Sequence, residues 1–167
     1  MSTVRPDART QQPPLSAALR AQVGALTAQY AEKRAACVEA LKLVQQAHRW
    51  VNDAHLRELA GLLDMSVEEL DAVATFYNLI YRRAVGRHVI LYCDSVSCWV
   101  MGYETVYARL QQQLGVRAGE TTADGRFTLL PSVCLGCCDG APAMMIDADL
   151  HTNVRDERLA ELLEPYS

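Results

Sequence analysis

No stretch of this chain reaches the roughly 18 consecutive apolar residues that a membrane-spanning helix requires, so direct insertion into a bilayer is not expected. The first 14 residues contain no apolar h-region and do not read as a secretory signal. There is no basic excess. The formal net charge is −4, which argues against nucleic acid and anionic membrane surfaces as partners. Neither G-x-G-x-x-G nor a P-loop occurs, so the chain alone is expected to bind neither NAD(H) nor a flavin such as FMN. No Ser/His/Asp arrangement and no catalytic pair of carboxylates stands out. His48, His55, His88 and His151 share no ligand spacing and are read as structural or surface residues. Internal repeats are absent.

What is present is a 167-residue chain with half its residues hydrophobic, enough for a sizeable core. It carries six cysteines. Without a secretory signal, these imply a reducing, cytoplasmic setting, where thiols serve as metal ligands or redox groups rather than disulfides.

Residues 1–14, with Pro6, Pro13 and Pro14 and no periodicity, read as a disordered leader. Helical spacing starts after Ser16, with Leu19, Val23, Leu26 and Tyr30 on one face. A second helix is expected from about 34 to 48, where Cys37 reads as a buried small hydrophobe. Asp53 is the expected cap of a third helix over 54–63. Ser66 and Glu69 form a capping box for a fourth, from Val67 to about Tyr81. The stretch from Leu59 to Leu70 has the outline of a helix–turn–helix. Its second helix, however, opens with Glu68, Glu69 and Asp71, which a DNA backbone would repel, so helix packing is the expected role.

From Arg87 the pattern changes. His88 to Tyr92 reads as a buried strand leading into Cys93. Tyr103, Val106, Tyr107, Leu110 and Leu114 follow helical spacing up to Gly115. Asp124-Gly125 is a turn ahead of a strand from Phe127 to Leu130. Further strands are expected at 143–146 and 151–154, and a closing helix at about 156–164. Pro142 sits where a cis-proline would fall in a thioredoxin-like layer. The expected class is α+β: an N-terminal helical bundle (15–86) followed by a thioredoxin-like α/β domain (87–167).

The chemistry concentrates in two cysteine pairs, Cys93-x4-Cys98 and Cys134-x3-Cys138, each following a strand. Structural zinc draws on pairs of similar spacing. A redox dithiol would use C-x2-C, a spacing found at Cys134 and Cys137, but would leave Cys93 and Cys98 idle. A [2Fe–2S] cluster needs two thiolates on each of two irons, and two loops of two ligands supply them. Zinc and the dithiol remain as alternatives on spacing alone.

The segment from Tyr92 to Cys98, the run Asp124 to Pro131 and the loop Cys134 to Asp139 closely resemble the small [2Fe–2S] E-chain family of bacterial NADH:quinone oxidoreductase, respiratory complex I. So do Glu39-Ala40-Leu41-Lys42, Val73 to Tyr77 and Val85 to Ile90 in and just after the helical half. The resemblance implies a thioredoxin-like [2Fe–2S] ferredoxin domain with Cys93, Cys98, Cys134 and Cys138 as ligands of one cluster. It makes Cys137 a bystander thiol. It further implies a non-catalytic electron-transfer subunit of a proton-translocating complex. In that family a partner F-type subunit binds FMN and NADH, and other iron–sulfur subunits complete the peripheral arm. The site of action would be the cytoplasmic face of the inner membrane. The flavin would lie beside this cluster, off the main line of clusters leading to quinone. An equivalent diaphorase subunit of an NAD-reducing hydrogenase or NAD-linked formate dehydrogenase is the nearest alternative. A zinc-stabilised regulatory module is the alternative of another class, and would be colourless. Trp99 either shields the centre or faces a partner. Asp94 and Asp139, each following a ligand, imply a low reduction potential.

Overall fold

The computed structural model describes residues 13–166. The chain forms two compact units, with the division between Ala84 and Val85. The leader expected over 1–14 lies, up to residue 12, outside the described residues.

The first unit is helical: α1 (Ala17–Thr27), α2 (Cys37–His48), α3 (Asp53–Leu62) and α4 (Val67–Phe76), with a 3-10 turn at Lys33–Ala36. Ser16 caps α1 through its hydroxyl, which accepts from the Leu19 N–H at 3.1 Å. One core gathers Leu19, Val23, Leu41, Val44, Leu56, Leu59, Leu63 and Leu70, all buried. Leu59, Leu63 and Leu70 come from the helix–turn–helix lookalike, so its apolar face is spent on packing. Its acids form ion pairs, Glu69 with Arg34 and Asp71 with Arg82. Cys37 is half-buried, at the start of α2, and packs on this core.

Two expectations are corrected here. Asn52, not Asp53, caps α3: its side chain accepts from the His55 N–H at 2.7 Å, leaving Asp53 to pair with Arg82. The fourth helix stops at Phe76 rather than near Tyr81. The polar groups beyond it bond elsewhere: Gln45 accepts from the Tyr81 N–H and donates to the Leu79 carbonyl, and the Tyr81 carbonyl accepts from the Val51 N–H. These long-range bonds replace the helical ladder that propensity favours. Buried His55 is structural, with Nε2 2.8 Å from the Pro13 carbonyl.

The second unit holds a four-stranded sheet of order β2-β1-β3-β4. The strands are β1 (His88–Cys93), β2 (Phe127–Ser132), β3 (Met144–Ile146) and β4 (Asp149–His151). β1 and β2 are parallel, joined by a crossover containing α5 (Val96–Val100) and α6 (Tyr103–Leu114), while β3 and β4 are antiparallel. A short α7 (Leu159–Leu163) follows, flanked by 3-10 turns. Ile90, Leu129, Met144 and Ile146 from the sheet pack with Leu110 of α6 and Leu159 of α7. The last strand lies slightly earlier than the 151–154 expected, because Val154 belongs to the core, its N–H donating to the Pro142 carbonyl. The Ala141–Pro142 bond is cis. Tyr92, at the end of β1, stacks on Tyr107 and Tyr103 of α6 with ring centroids 4.5 and 6.1 Å away. Stacked pairs of this kind add about 0.5–1.5 kcal/mol beyond burial, so the residue before Cys93 is held firmly.

Candidate metal centre

Parallel pairing brings both cysteine loops to one end of the sheet. Cys93 and Ser132 are register partners in the last rung, and Cys134 follows two residues later. The Cys93 N–H donates to the Ala143 carbonyl at 3.1 Å, which ties the same point to the segment entering β3. Loops at the carboxyl ends of parallel strands are where such sheets place their functional groups.

Cys98 arrives on α5, a one-turn helix that the sequence pattern does not announce. Five residues are too few for a periodic pattern to register. Cys93 and Cys98 are 3% and 2% exposed and share a small cluster with Ala141 and Ala143. Burial, and next the Cys93 thiol beside it, push the Cys98 thiol up to about 11. That thiol is therefore protonated in the free chain at neutral pH and can serve as a ligand only when a metal displaces the proton.

The second loop differs. Cys134 and Cys138 are exposed, and their sulfurs lie 3.8 Å apart. Two thiolates held at about 2.3 Å on one tetrahedral ion are separated by about that distance. Gly136 makes the turn possible: its φ of +79° belongs to the left-handed region, and its N–H donates to the Cys134 sulfur at 3.4 Å. Cys137 is half-buried, packs against the Cys93/Cys98 cluster, and has its thiol pushed up chiefly by burial.

Among the described residues, no three His, Cys, Asp or Glu side chains converge as a single metal ion would demand. The donor set is instead two pairs of thiols from two loops at one sheet end. Such a set can supply two thiolates to each iron of a two-iron group.

Around these loops lies an apolar rim of which only Trp99 stands out in the sequence: Val96, Trp99, Val100 and Met101 on and after α5, and Val133 beside Cys134. Trp99 is 58% exposed and Val133 74% exposed. Trp99 thus stands outward and does not cover the cysteines as a buried shield. Ser132 is buried, and its hydroxyl has no hydrogen-bond partner among the described residues.

The family model of the thioredoxin-like [2Fe-2S] ferredoxins matches residues 23–167. The chain is 48% identical over 152 residues to the E-type subunit of the NADH-quinone oxidoreductase of Escherichia coli K12, covering 91% of this chain and 92% of the relative. It is 50% identical over 137 residues to the corresponding subunit of Pseudomonas aeruginosa, covering 82% of each. Among solved structures, the NAD+-reducing [NiFe]-hydrogenase in the H2-reduced state aligns with a TM-score of 0.66 at 25% identity. That alignment covers 78% of this chain but only 22% of the hydrogenase chain. With the match spanning nearly all of the described residues, the chain belongs to the thioredoxin-like [2Fe–2S] ferredoxin family and has one [2Fe–2S] cluster as its cofactor.

Proposed function

We propose that this chain is the [2Fe–2S] electron-transfer subunit of an NADH:quinone oxidoreductase. Cys93, Cys98, Cys134 and Cys138 are its cluster ligands, and 87–167 is the domain that holds them, with 15–86 as a separate helical domain. The observation that carries the reading is the parallel β1–β2 pairing, which delivers one cysteine pair from each of two adjacent strand ends. Identity of about half with the E-type subunits of two bacteria over most of the chain supports the assembly.

When bound, the cluster accepts and releases one electron at a time. The residues of this chain supply the setting. Cys93 and Cys98, both buried, and Cys134 and Cys138, both exposed, would hold the group. The Gly136 N–H stabilises negative charge on the Cys134 sulfur. The apolar rim of Val96, Trp99, Val100 and Val133 meets that partner, the F-type subunit that binds FMN and NADH, and excludes water between cluster and flavin. Other iron–sulfur subunits complete the arm. No helix among the described residues is long and apolar enough to cross a membrane, and the chain acts peripherally on the cytoplasmic side of the inner membrane within the complex. By itself it turns over no substrate.

The test is isolation of the chain with its co-purifying partners, followed by iron and sulfide analysis and EPR of the reduced protein. A [2Fe–2S] signal in a preparation containing an FMN- and NADH-binding subunit and a quinone-reducing activity supports the reading. A colourless zinc protein overturns it. Co-purification with hydrogenase subunits, the assembly to which the structural likeness also points, would move the same chemistry to a diaphorase.

A further inference from the structure

Ser132 combines three features. It is 3% exposed, its hydroxyl lacks a hydrogen-bond partner among the described residues, and it shares the last rung of the ladder with Cys93. A buried hydroxyl left unpaired is costly, and each such group in a native structure calls for an explanation, a bound acceptor group among them.

Its surroundings identify that acceptor. Ser132 is the register partner of Cys93 in a parallel pair, which sets the two side chains on the same face of the sheet. The Cys93 sulfur already leans toward this strand end, 3.7 Å from the carbonyl of Val133, the next residue. The backbone carbonyl of Ser132 is occupied by the Asp94 N–H at 3.1 Å, so the peptide is fixed and only the hydroxyl can turn. Among the residues packed with Cys93, the buried Cys98, Ala141 and Ala143 have no side-chain hydroxyl or amide, and the partly buried Tyr103 stacks its ring on Tyr92.

We infer that the Ser132 hydroxyl is a positioning residue of the cluster, donating a hydrogen bond to a sulfur of the loaded centre on the Cys93 side. A donor at sulfur stabilises the more negative, reduced state and raises the reduction potential. Such a bond would act against the lowering of the potential expected from Asp94 and Asp139. The inference rests on the ligand assignment proposed above.

The experiment compares the full chain, cluster-loaded and cluster-free, with its Ser132→Ala and Ser132→Thr variants. In the loaded chain, Ser132→Ala is expected to lower the midpoint potential, whereas Ser132→Thr, which keeps the hydroxyl, stays close to the parent. In H2O against D2O, resonance Raman of the parent should show an Fe–S stretch that shifts with deuterium, and Ser132→Ala should lose that shift. A bridging or terminal mode identifies which sulfur accepts. In the cluster-free chain, Ser132→Ala should unfold no more easily than the parent, because it removes an unpaired buried hydroxyl. A purely structural serine predicts the reverse pattern: an unchanged potential and lower cluster-free stability. An unchanged potential and unchanged deuterium shift in a loaded Ser132→Ala protein overturn the inference while leaving the four ligands standing. A parent chain that binds no [2Fe–2S] cluster overturns both.

Discussion

The Asp94 N–H donates to the Ser132 carbonyl at 3.1 Å, so the parallel ladder of β1 and β2 continues one residue beyond Cys93. The cysteine is therefore aligned by sheet hydrogen bonds and not by a free loop. Cys138 has a different support. It begins a 3-10 turn, Cys138–Gly140, that is fastened by the Asn153 N–H donating to the Gly140 carbonyl. One cysteine of each pair is thus placed by backbone geometry that exists without the cluster.

That fastening makes Gly140 sensitive. A Cβ there would lie 2.6 Å from the Cβ of Thr152, too close for either to stay in place. Gly140→Ala should cost about 1–3 kcal/mol of stability and lower iron content by loosening the Cys138 turn. Thermal unfolding and iron analysis check this, and adding Thr152→Gly should recover much of both losses.

Cys137 and Cys138 are neighbours in sequence with different surroundings, one half-buried and the other exposed with its sulfur 3.8 Å from Cys134. Cys137→Ser should leave the EPR spectrum of the reduced protein unchanged, while Cys138→Ser should alter it or abolish it. The opposite pattern would make Cys137 the ligand.

Much of this was legible in the sequence. Ser16 and the Ser66/Glu69 box announced two helix starts because capping is a local matter of side chain and N–H. The strands entering Cys93 and Cys134 were legible from β-branched and apolar runs, and the cysteine pairs from their spacing. What escaped depended on distant partners. Just past α4, Gln45 donates to the Leu79 carbonyl from 34 residues away in sequence, a relationship that no local pattern contains. Apart from Trp99, the apolar rim escaped because the exposure of Val96 and Val100 on α5 and of Val133 beside Cys134 is known only once the chain is folded. The orphan hydroxyl of Ser132 could not be anticipated either, since a serine near a strand end is unremarkable until its burial is known.

The capping box carries a pH signature. The Ser66 N–H, and next Arg34, hold the Glu69 carboxyl below its ordinary value. A carboxylate whose folded value is depressed contributes stability above its unfolded value, and that contribution is lost as the pH falls through the folded one. Denaturant unfolding across the mildly acid range should therefore show a shallower acid loss for Glu69→Gln than for the parent. Ser66→Ala should cost about 1 kcal/mol at neutral pH.

Asp94 and Asp139 are exposed residues, each one step from a proposed ligand. Negative charge nearby disfavours the reduced cluster. Replacing both, Asp94→Asn with Asp139→Asn, should raise the midpoint potential, on the order of tens of millivolts for charges acting across partly solvated gaps. A redox titration showing no upward shift would remove these carboxylates from the account of the potential.

Trp99 and Val133 reach the surface from opposite cysteine loops, and both are largely exposed. Large apolar side chains left in water near a functional centre are candidates for a contact surface, and tryptophan is a frequent anchor of such contacts. Neither residue belongs to the buried clusters of the chain, so removing them should leave folding and cluster content intact. Trp99→Ala combined with Val133→Asp should weaken association with the flavin-binding partner proposed above by more than tenfold, since truncating one such anchor commonly costs about 2 kcal/mol or more. The reduced-cluster EPR spectrum of the isolated chain should stay as it was. Affinity measured by titration against the isolated partner gives the first quantity, and iron content with EPR gives the second. Unchanged affinity would move the partner to another face. Lost iron would mean that the rim supports the cluster from within the chain.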